Sequence, residues 1–244
     1  MDKLLYIAMT GAKETLRAQA VNSHNLANAS TTGFRADLSA FQSRAVMGSG
    51  YASRVYATNA TTGWDATVGA QVSTGRDLDV AIQGDGFIAV QGPDGREAYT
   101  RAGDLRVDPN GQLLTGTGHP VLAEGAPVSV PPHSSLLIAP DGTISVVPLG
   151  QGPETTANVG RIKLVNPEAA AVERGSDGLF RMRDGTDAPA DAAVQLASGV
   201  LESSNVNAAD AMVNMIELAR NFELQVKAMR TAEENGQASA QLLR

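Results

Sequence analysis

AADAMVNMIELARNFELQVKAM, residues 208–229, places an apolar side chain at alternating steps of three and four: Met212, Met215, Ala219, Phe222, Val226 and Met229. That is the seam spacing of a coiled coil. Between the seam positions Asn214, Glu217, Arg220, Asn221, Glu223, Gln225 and Lys227 make a polar outer face, and Glu223 and Lys227 form a favourable i, i+4 pair. The pattern fades at Glu233 and Gly236 and resumes in phase at Ala240 and Leu243. A helix over 207–243 would be about 55 Å long at the α-helical rise, longer than a small domain is wide. Part of the seam therefore overhangs. Each exposed Met, Phe or Val would gain about 1.5–3 kcal/mol on burial, so partner helices are expected.

Working outward from this stretch, the opposite end of the chain carries a weaker stripe of the same kind. Leu5, Met9, Ala12, Leu16 and Ala20 recur at helical spacing, and the helix runs on through Leu26. Asn28, ahead of Ser30-Thr31-Thr32-Gly33, reads as its stop, with Gly33 free to take a positive φ and Phe34 as the first anchor beyond. Leu5, Met9, Ala12 and Leu16 are expected to pack on the Met212–Met229 seam within one subunit, leaving the other helix faces for adjacent subunits.

Helix breakers divide the chain. All 11 prolines lie between Pro93 and Pro189, and of 25 glycines only Gly11, Gly33 and Gly236 fall within the first 35 or last 45 residues. Both ends are free to be helical and the middle is not. The ends carry net charges of +2 and −2 and are weakly complementary. In the middle, apolar runs such as 86–90 and 136–138 flank the tripeptides Pro93-Asp94-Gly95, Pro109-Asn110-Gly111 and Pro140-Asp141-Gly142, which is hairpin chemistry. Residues 36–74 are dominated by Ser, Thr, Ala and Gly, with Phe41, Val46, Tyr51, Val55, Tyr56 and Trp64 as their few large groups, and read as an extended arm. The expected fold is α+β. Residues 1–35 and 199–244 supply N- and C-terminal helices paired as a coiled-coil-like inner domain, 36–74 the arm, and 75–198 an antiparallel β-rich central domain.

Composition excludes several functions. The 244 residues carry 19 basic and 26 acidic side chains, a net charge of −7, with no two basic residues adjacent, which argues against nucleic acid or an anionic membrane surface as partner. Without cysteine there are no disulfides, thiolate metal sites or cysteine nucleophiles. The apolar stretch Leu4–Met9 is too short for a signal-peptide core, and no segment is long enough to insert in a membrane. His24, His119 and His133 show no metal spacing. Gly84-Asp85-Gly86 precedes an apolar strand rather than a helix and reads as a turn, not a phosphate loop. Asp85, Asp94, Asp108, Asp141, Asp177 and Asp184 lie in Gly-containing turns, which they are expected to cap; a calcium loop around Asp108 and Asn110 lacks its remaining ligands. No catalytic residue, metal site or cofactor is expected.

Asn25-Leu26-Ala27-Asn28-Ala29-Ser30-Thr31-Thr32-Gly33-Phe34-Arg35 resembles the N-terminal signature of the flagellar rod and hook proteins, with His24 standing where that pattern usually has Asn. The stretch 199–207, with Ser204, Asn205, Val206 and Asn207, followed by Met212, Ile216, Arg220, Phe222 and Glu223, is similar to the family's C-terminal signature. The central 78–87 with Tyr99-Thr100-Arg101 looks like its β domain. The opening 1–6 and the phrase 28–36 lean towards the proximal-rod branch; the distal-rod branch is the alternative, and Thr32 departs from the Pro often found in the proximal form.

The resemblance implies a non-enzymatic building block of the basal-body rod, which carries motor torque across the periplasm to the hook. Its partners would be the proximal and distal rod proteins and the flagellar type III export apparatus, which it would leave without cleavage of a signal peptide. Two readings from other classes compete: a secreted β-rich enzyme, which needs a cleft with paired acidic groups of perturbed pKa, and a soluble binding module presenting the β domain.

Overall fold

Between Lys3 and Ala27 no proline and a single glycine interrupt the chain, and these residues form helix α1. At the other end Ala208–Leu242 form helix α2, 35 residues or about 52 Å of unbroken helix. The computed structural model describes residues 3–45, 55–152 and 155–242; Val46, Tyr51 and Leu243 of the sequence reading lie outside these. The chain divides into two units. One comprises 1–29, 36–65 and 206–244, the other 30–35 and 66–205.

In the first unit α1 and α2 run antiparallel side by side. Asn22 Nδ2 donates to the Ala211 carbonyl at 2.7 Å, and 11 residues earlier in α1, Gly11 faces the Gln225 side chain. The buried positions of α1 are small or polar: Ala8, Ala12, Glu14, Thr15 and Ala18. On α2 the buried and half-buried positions Ala211, Met215, Leu218, Phe222, Gln225, Met229 and Ala232 alternate by four and three. This corrects the expected packing. Met215, Phe222 and Met229 lie on the half-buried face, with Val226 beside it, but Met212 and Ala219 point outward. On α1 only Ala12 of the expected four is buried, whereas Leu5, Met9 and Leu16 are exposed, Met9 and Leu16 by about half. The physical reason is closeness of approach. A Cβ on Gly11 would come within 2.9 Å of the Gln225 side chain, so the larger residues of α2 are accommodated by small residues on the facing side of α1.

Residues 36–65 also belong to this unit. Strands β1 (Asp37–Ala45) and β2 (Val55–Trp64) pair antiparallel from Asp37↔Trp64 to Ala45↔Val55, with a bulge at Leu38/Ser39. The stretch read as an extended arm is thus a two-stranded ribbon, and β2 lies along α1. The attachment is polar: buried Glu14 accepts from the Asn59 backbone N–H at 3.1 Å and from Arg17 Nη1 at 3.0 Å. Alternation of small and polar residues conceals this ribbon, because hydrophobic period is the signal by which strands are read.

The second unit is antiparallel β structure around one apolar core. Strands β3 (Gln71–Ser73) and β4 (Val80–Gln83) pair with Val200–Glu202 and Gln195–Ser198 respectively. Strands β5 (Phe87–Gln91) and β6 (Glu97–Thr100) lie at the centre of a five-stranded sheet completed by Leu164–Val165, Phe180–Met182 and Val172–Arg174. A three-stranded sheet runs Ala157–Arg161, Thr143–Pro148, His133–Ile138. Ile82, Ile88, Val90, Leu105, Leu113, Ile144 and Leu196 form the fully buried core. Each Pro-Asp/Asn-Gly tripeptide joins two antiparallel strands, with Gly95, Gly111 and Gly142 at φ of 79–85°. Asp141 illustrates the chemistry: its carboxylate accepts from Thr143 Oγ1 at 2.7 Å and from the Thr143 N–H at 3.1 Å.

Burial pushes the Glu14 carboxyl up, but the Asn59 N–H and the Arg17 guanidinium outweigh it and hold the carboxyl below the usual carboxylate range. A depressed folded-state value stabilises above the unfolded carboxyl's titration and is lost as pH falls through the folded value. Glu14→Gln should therefore lower the thermal midpoint of the helical unit at neutral pH, and the difference from the wild-type chain should vanish on acidification. Melts followed by circular dichroism across that range test this; a difference that persists in acid would contradict the assignment.

Candidate functional site

The residues that carried the family signature fall in both units, and within the β unit Gly33, Arg35, Arg101 and Glu202 meet at one point. Helix α1 stops where Asn28 folds back on it, its N–H and Nδ2 both donating to the His24 carbonyl at 3.2 and 2.9 Å. Thr31 is exposed at the tip of the following turn, its carbonyl accepting the Phe34 N–H at 3.3 Å. Gly33 has φ +66°, as the sequence implied, and a Cβ there would collide with the backbone of Arg101 and Ala102. The position thus excludes side chains twice, by conformation and by space.

Two residues on, Arg35 is buried and paired with a buried carboxylate, Arg35 Nη1 to Glu202 Oε1 at 2.5 Å. The same Oε1 accepts the Gly69 N–H at 2.9 Å, and Oε2 accepts Arg101 Nε at 2.8 Å. Arg101 spends its other donors on backbone: Nη1 on Gly86 O at 2.9 Å and Nη2 on Gly84 O at 2.8 Å. Gly84-Asp85-Gly86 is therefore a turn that presents carbonyls to a guanidinium. The Glu202 carbonyl accepts the Gly33 N–H at 2.8 Å. Arg174 closes the outside, its guanidinium 4.7 Å above the Phe34 ring and its Nη1 donating to the Arg35 carbonyl at 2.6 Å. Asn205 donates from its N–H to Phe34 O at 3.3 Å and from Nδ2 to Thr67 O at 3.0 Å. Ser204 is buried beside it.

In the helical unit the remaining motif residues act on backbone. The Asn25 amide pairs twice with Asp37, accepting its N–H at 2.8 Å and donating to its carbonyl at 2.9 Å. This fixes the start of β1 against the last turn of α1, where Leu26 is half-buried. Asn207 caps α2: its Oδ1 accepts the Ala209 N–H at 3.0 Å and its Nδ2 donates to Asp210 at 2.7 Å. Half-buried Val206 precedes the cap.

This chemistry holds backbone in place. Both Glu202 oxygens are engaged, Oε1 by Arg35 and the Gly69 N–H and Oε2 by Arg101, and the side chain is shielded from water, so the carboxylate serves to hold these groups in place. The turn aspartates shift in the direction opposite to a general acid: the Thr143 hydroxyl and N–H hold Asp141 below the usual range, and the Thr186 N–H and hydroxyl do the same for Asp184. Asp108 accepts the N–H groups of Asn110 and Gln112 at 2.9 and 2.7 Å. Among the described residues no three His, Asp or Glu side chains are grouped to hold a metal ion, and no helix is long and apolar enough to cross a membrane.

Three family models match the chain: "Flagella basal body rod protein" over 5–35, "Flagellar hook protein FlgE/F/G D1 domain" over 81–146 and "Flagellar basal body rod FlgEFG protein C-terminal" over 197–242. The flagellar basal-body rod protein FlgF of Salmonella typhimurium is 48% identical over 249 residues, covering 100% of this chain and 99% of the relative. The chain belongs to the flagellar basal-body rod protein family. The FlgF of Escherichia coli is 47% identical over the same extent, while the FlgG of Buchnera aphidicola (Schizaphis graminum) is 32% identical over 98% of both chains.

A flagellar rod protein is a structural subunit and not an enzyme, which agrees with a cluster whose polar groups are spent on one another. Each matched span contributes one member of the ion cluster: Arg35, Arg101 and Glu202. Sequence reading quoted all three residues within its motifs and assigned none of them a role; it also passed over Asn22, Asp37 and Arg174. They share no local pattern: Asn22 lies within α1 and Glu202 at the end of a strand, so only the fold shows what they hold.

Gly33→Ala should destabilise the β unit by more than the roughly 1–2 kcal/mol of a left-handed backbone alone, because the Arg101 backbone must also move. Urea unfolding followed by near-ultraviolet signals measures this, and a neutral Gly33→Ala would refute the close approach. Asn207→Ala should cost about 1 kcal/mol, confined to the helical unit, as for loss of an N-cap. Faster amide exchange at Ala209 and Asp210 reports it.

Proposed function

We propose that this chain is a proximal-rod subunit that polymerises helically with other rod proteins and passes motor torque towards the hook. The observation that carries the reading is the 48% identity to an FlgF over essentially all of both chains, against 32% to an FlgG over a comparable extent. In this reading the paired terminal helices, with the ribbon of 36–65 along α1, form the coiled-coil-like assembly domain expected of 1–35 and 199–244, while 30–35 and 66–205, which take in most of the expected 75–198, form the β domain. Met215, Phe222, Val226 and Met229, with Ala12, close the pair within a subunit. Leu5, Met9 and Leu16 on one helix and Met212, Ile216 and Ala219 on the other meet neighbouring subunits.

The exposure of these large side chains supports that division. Met9 is 52% exposed, Met212 54% and Ile216 57%, away from the faces by which the two helices meet. Two different outward faces on one subunit give a heterologous, head-to-tail contact, and such contacts build open helical assemblies when the rotation does not close. The subunit reaches the rod through the flagellar type III export apparatus, and the rod spans the periplasm.

Ile216→Asp tests the outward face directly. The side chain is exposed, so the purified variant should melt like the wild-type chain, whereas a strain relying on it should lack swimming motility and yield basal bodies without the subunit. Normal swimming with Ile216→Asp incorporated would remove this face from the interface.

A further inference from the structure

The chain passes between its two units at four places: 29/30, 35/36, 65/66 and 205/206. In the β unit all four exits are bonded to one short segment. The Glu202 carbonyl takes the Gly33 N–H, between the first two exits, and its carboxylate takes Arg35 at the second and the Gly69 N–H beside the third. Ser203 N–H bonds Ala70 O at 2.8 Å, and Asn205, at the fourth exit, holds Phe34 and Thr67. Arg101 anchors this segment to the sheet, because its guanidinium bridges Glu202 to the carbonyls of Gly84 and Gly86 behind β4 and β5.

We propose that Glu202, oriented by Arg101 and paired with Arg35, is a positioning residue that clamps the four exits together and so sets the stiffness with which rod torque enters the β unit. The proposal rests on the rod reading above and adds to it the residues on which the coupling depends. Any torque passing between the units along the chain must pass through these exits. Four strands of backbone tied at one buried point resist twisting together, whereas untied strands bend one at a time. Fully buried charge-assisted bonds suit this role because water does not compete for them. Packing of apolar groups alone would resist separation but would not fix the exits in register, since dispersion contacts lack direction.

The removal of Arg35 leaves a neutral Arg101–Glu202 pair, whereas the removal of the Glu202 charge leaves two buried guanidinium groups facing each other. Arg35→Met is therefore the principal variant and Glu202→Gln the second. Each is expressed in a strain lacking the gene, with swimming scored in media of rising viscosity, subunit content scored in isolated basal bodies, and amide exchange measured on the purified full chain. Arg35→Met should enter basal bodies at the wild-type level and swim in dilute medium but stall as viscosity rises, and Arg35→Lys should recover part of the lost torque. The Gly33 amide in Arg35→Met, and those of Gly33 and Gly69 in Glu202→Gln, should speed up by about tenfold more than core amides such as Ile88 do. Wild-type rotation of Arg35→Met at every viscosity, or unchanged exchange at Gly33 and Gly69, would overturn the clamp. If the wild-type gene itself fails to restore motility the rod reading fails instead, and the exchange rates still decide whether the clamp exists. Should Glu202→Gln not fold, Arg35→Met alone settles both readouts.

Discussion

A carboxylate taken out of water must be matched by donors, and Glu202 is matched by two guanidinium groups and a backbone amide. Burying such a group costs several kcal/mol before any partner is found, so the arrangement stands only while every partner stays in place. Removing one member of a buried pair typically costs about 3–5 kcal/mol, comparable to much of a domain's net stability. Around this one carboxylate are set the positive φ of Gly33, the carbonyls of the Gly84–Gly86 turn, and the ring of Phe34 under Arg174. The core of Ile88, Ile144 and their neighbours is purely apolar and contains none of these charged groups.

The legible part of the fold was what depends on local rules. The unbroken ends, the three Pro-Asp/Asn-Gly hairpins and the left-handed Gly33 follow from helix breakers and turn chemistry, which act over a few residues and leave a mark in composition. The ribbon of β1 and β2 was read as an extended arm because Ser, Thr and Ala give it no hydrophobic period, and its attachment runs through one buried glutamate on another element. Packing of the helix pair was misjudged for a related reason. Ranking side chains by hydrophobicity selects Leu5, Met9 and Leu16, yet the face of α1 that closes on α2 is the one with the least bulk. The ion cluster was invisible as a cluster, since its members lie 66 and 101 residues apart in sequence and only folding brings them to one point.

On α1 small residues face inward and large ones outward, the inverse of the usual order in a soluble helical pair. Ala8, Gly11, Thr15 and Ala18 give a close but modest contact, whereas the exposed Leu, Met and Ile side chains hold most of the apolar free energy that the helices can still release. The helices of the single chain therefore leave apolar surface whose burial would still be favourable.

The bond from the Gly33 amide to the Glu202 carbonyl also changes the statistics of the chain. Asn22 and the Ala211 carbonyl, which meet between α1 and α2, are separated by 189 residues. Once Gly33 and Glu202 are held together, the free path from the end of α1 at Ala27 to the start of α2 at Ala208 shrinks to about a dozen residues, lowering the loop-closure cost by about 2 kcal/mol. In entropic terms the first and last helices of the chain become a helical hairpin, and the whole β unit serves as its turn.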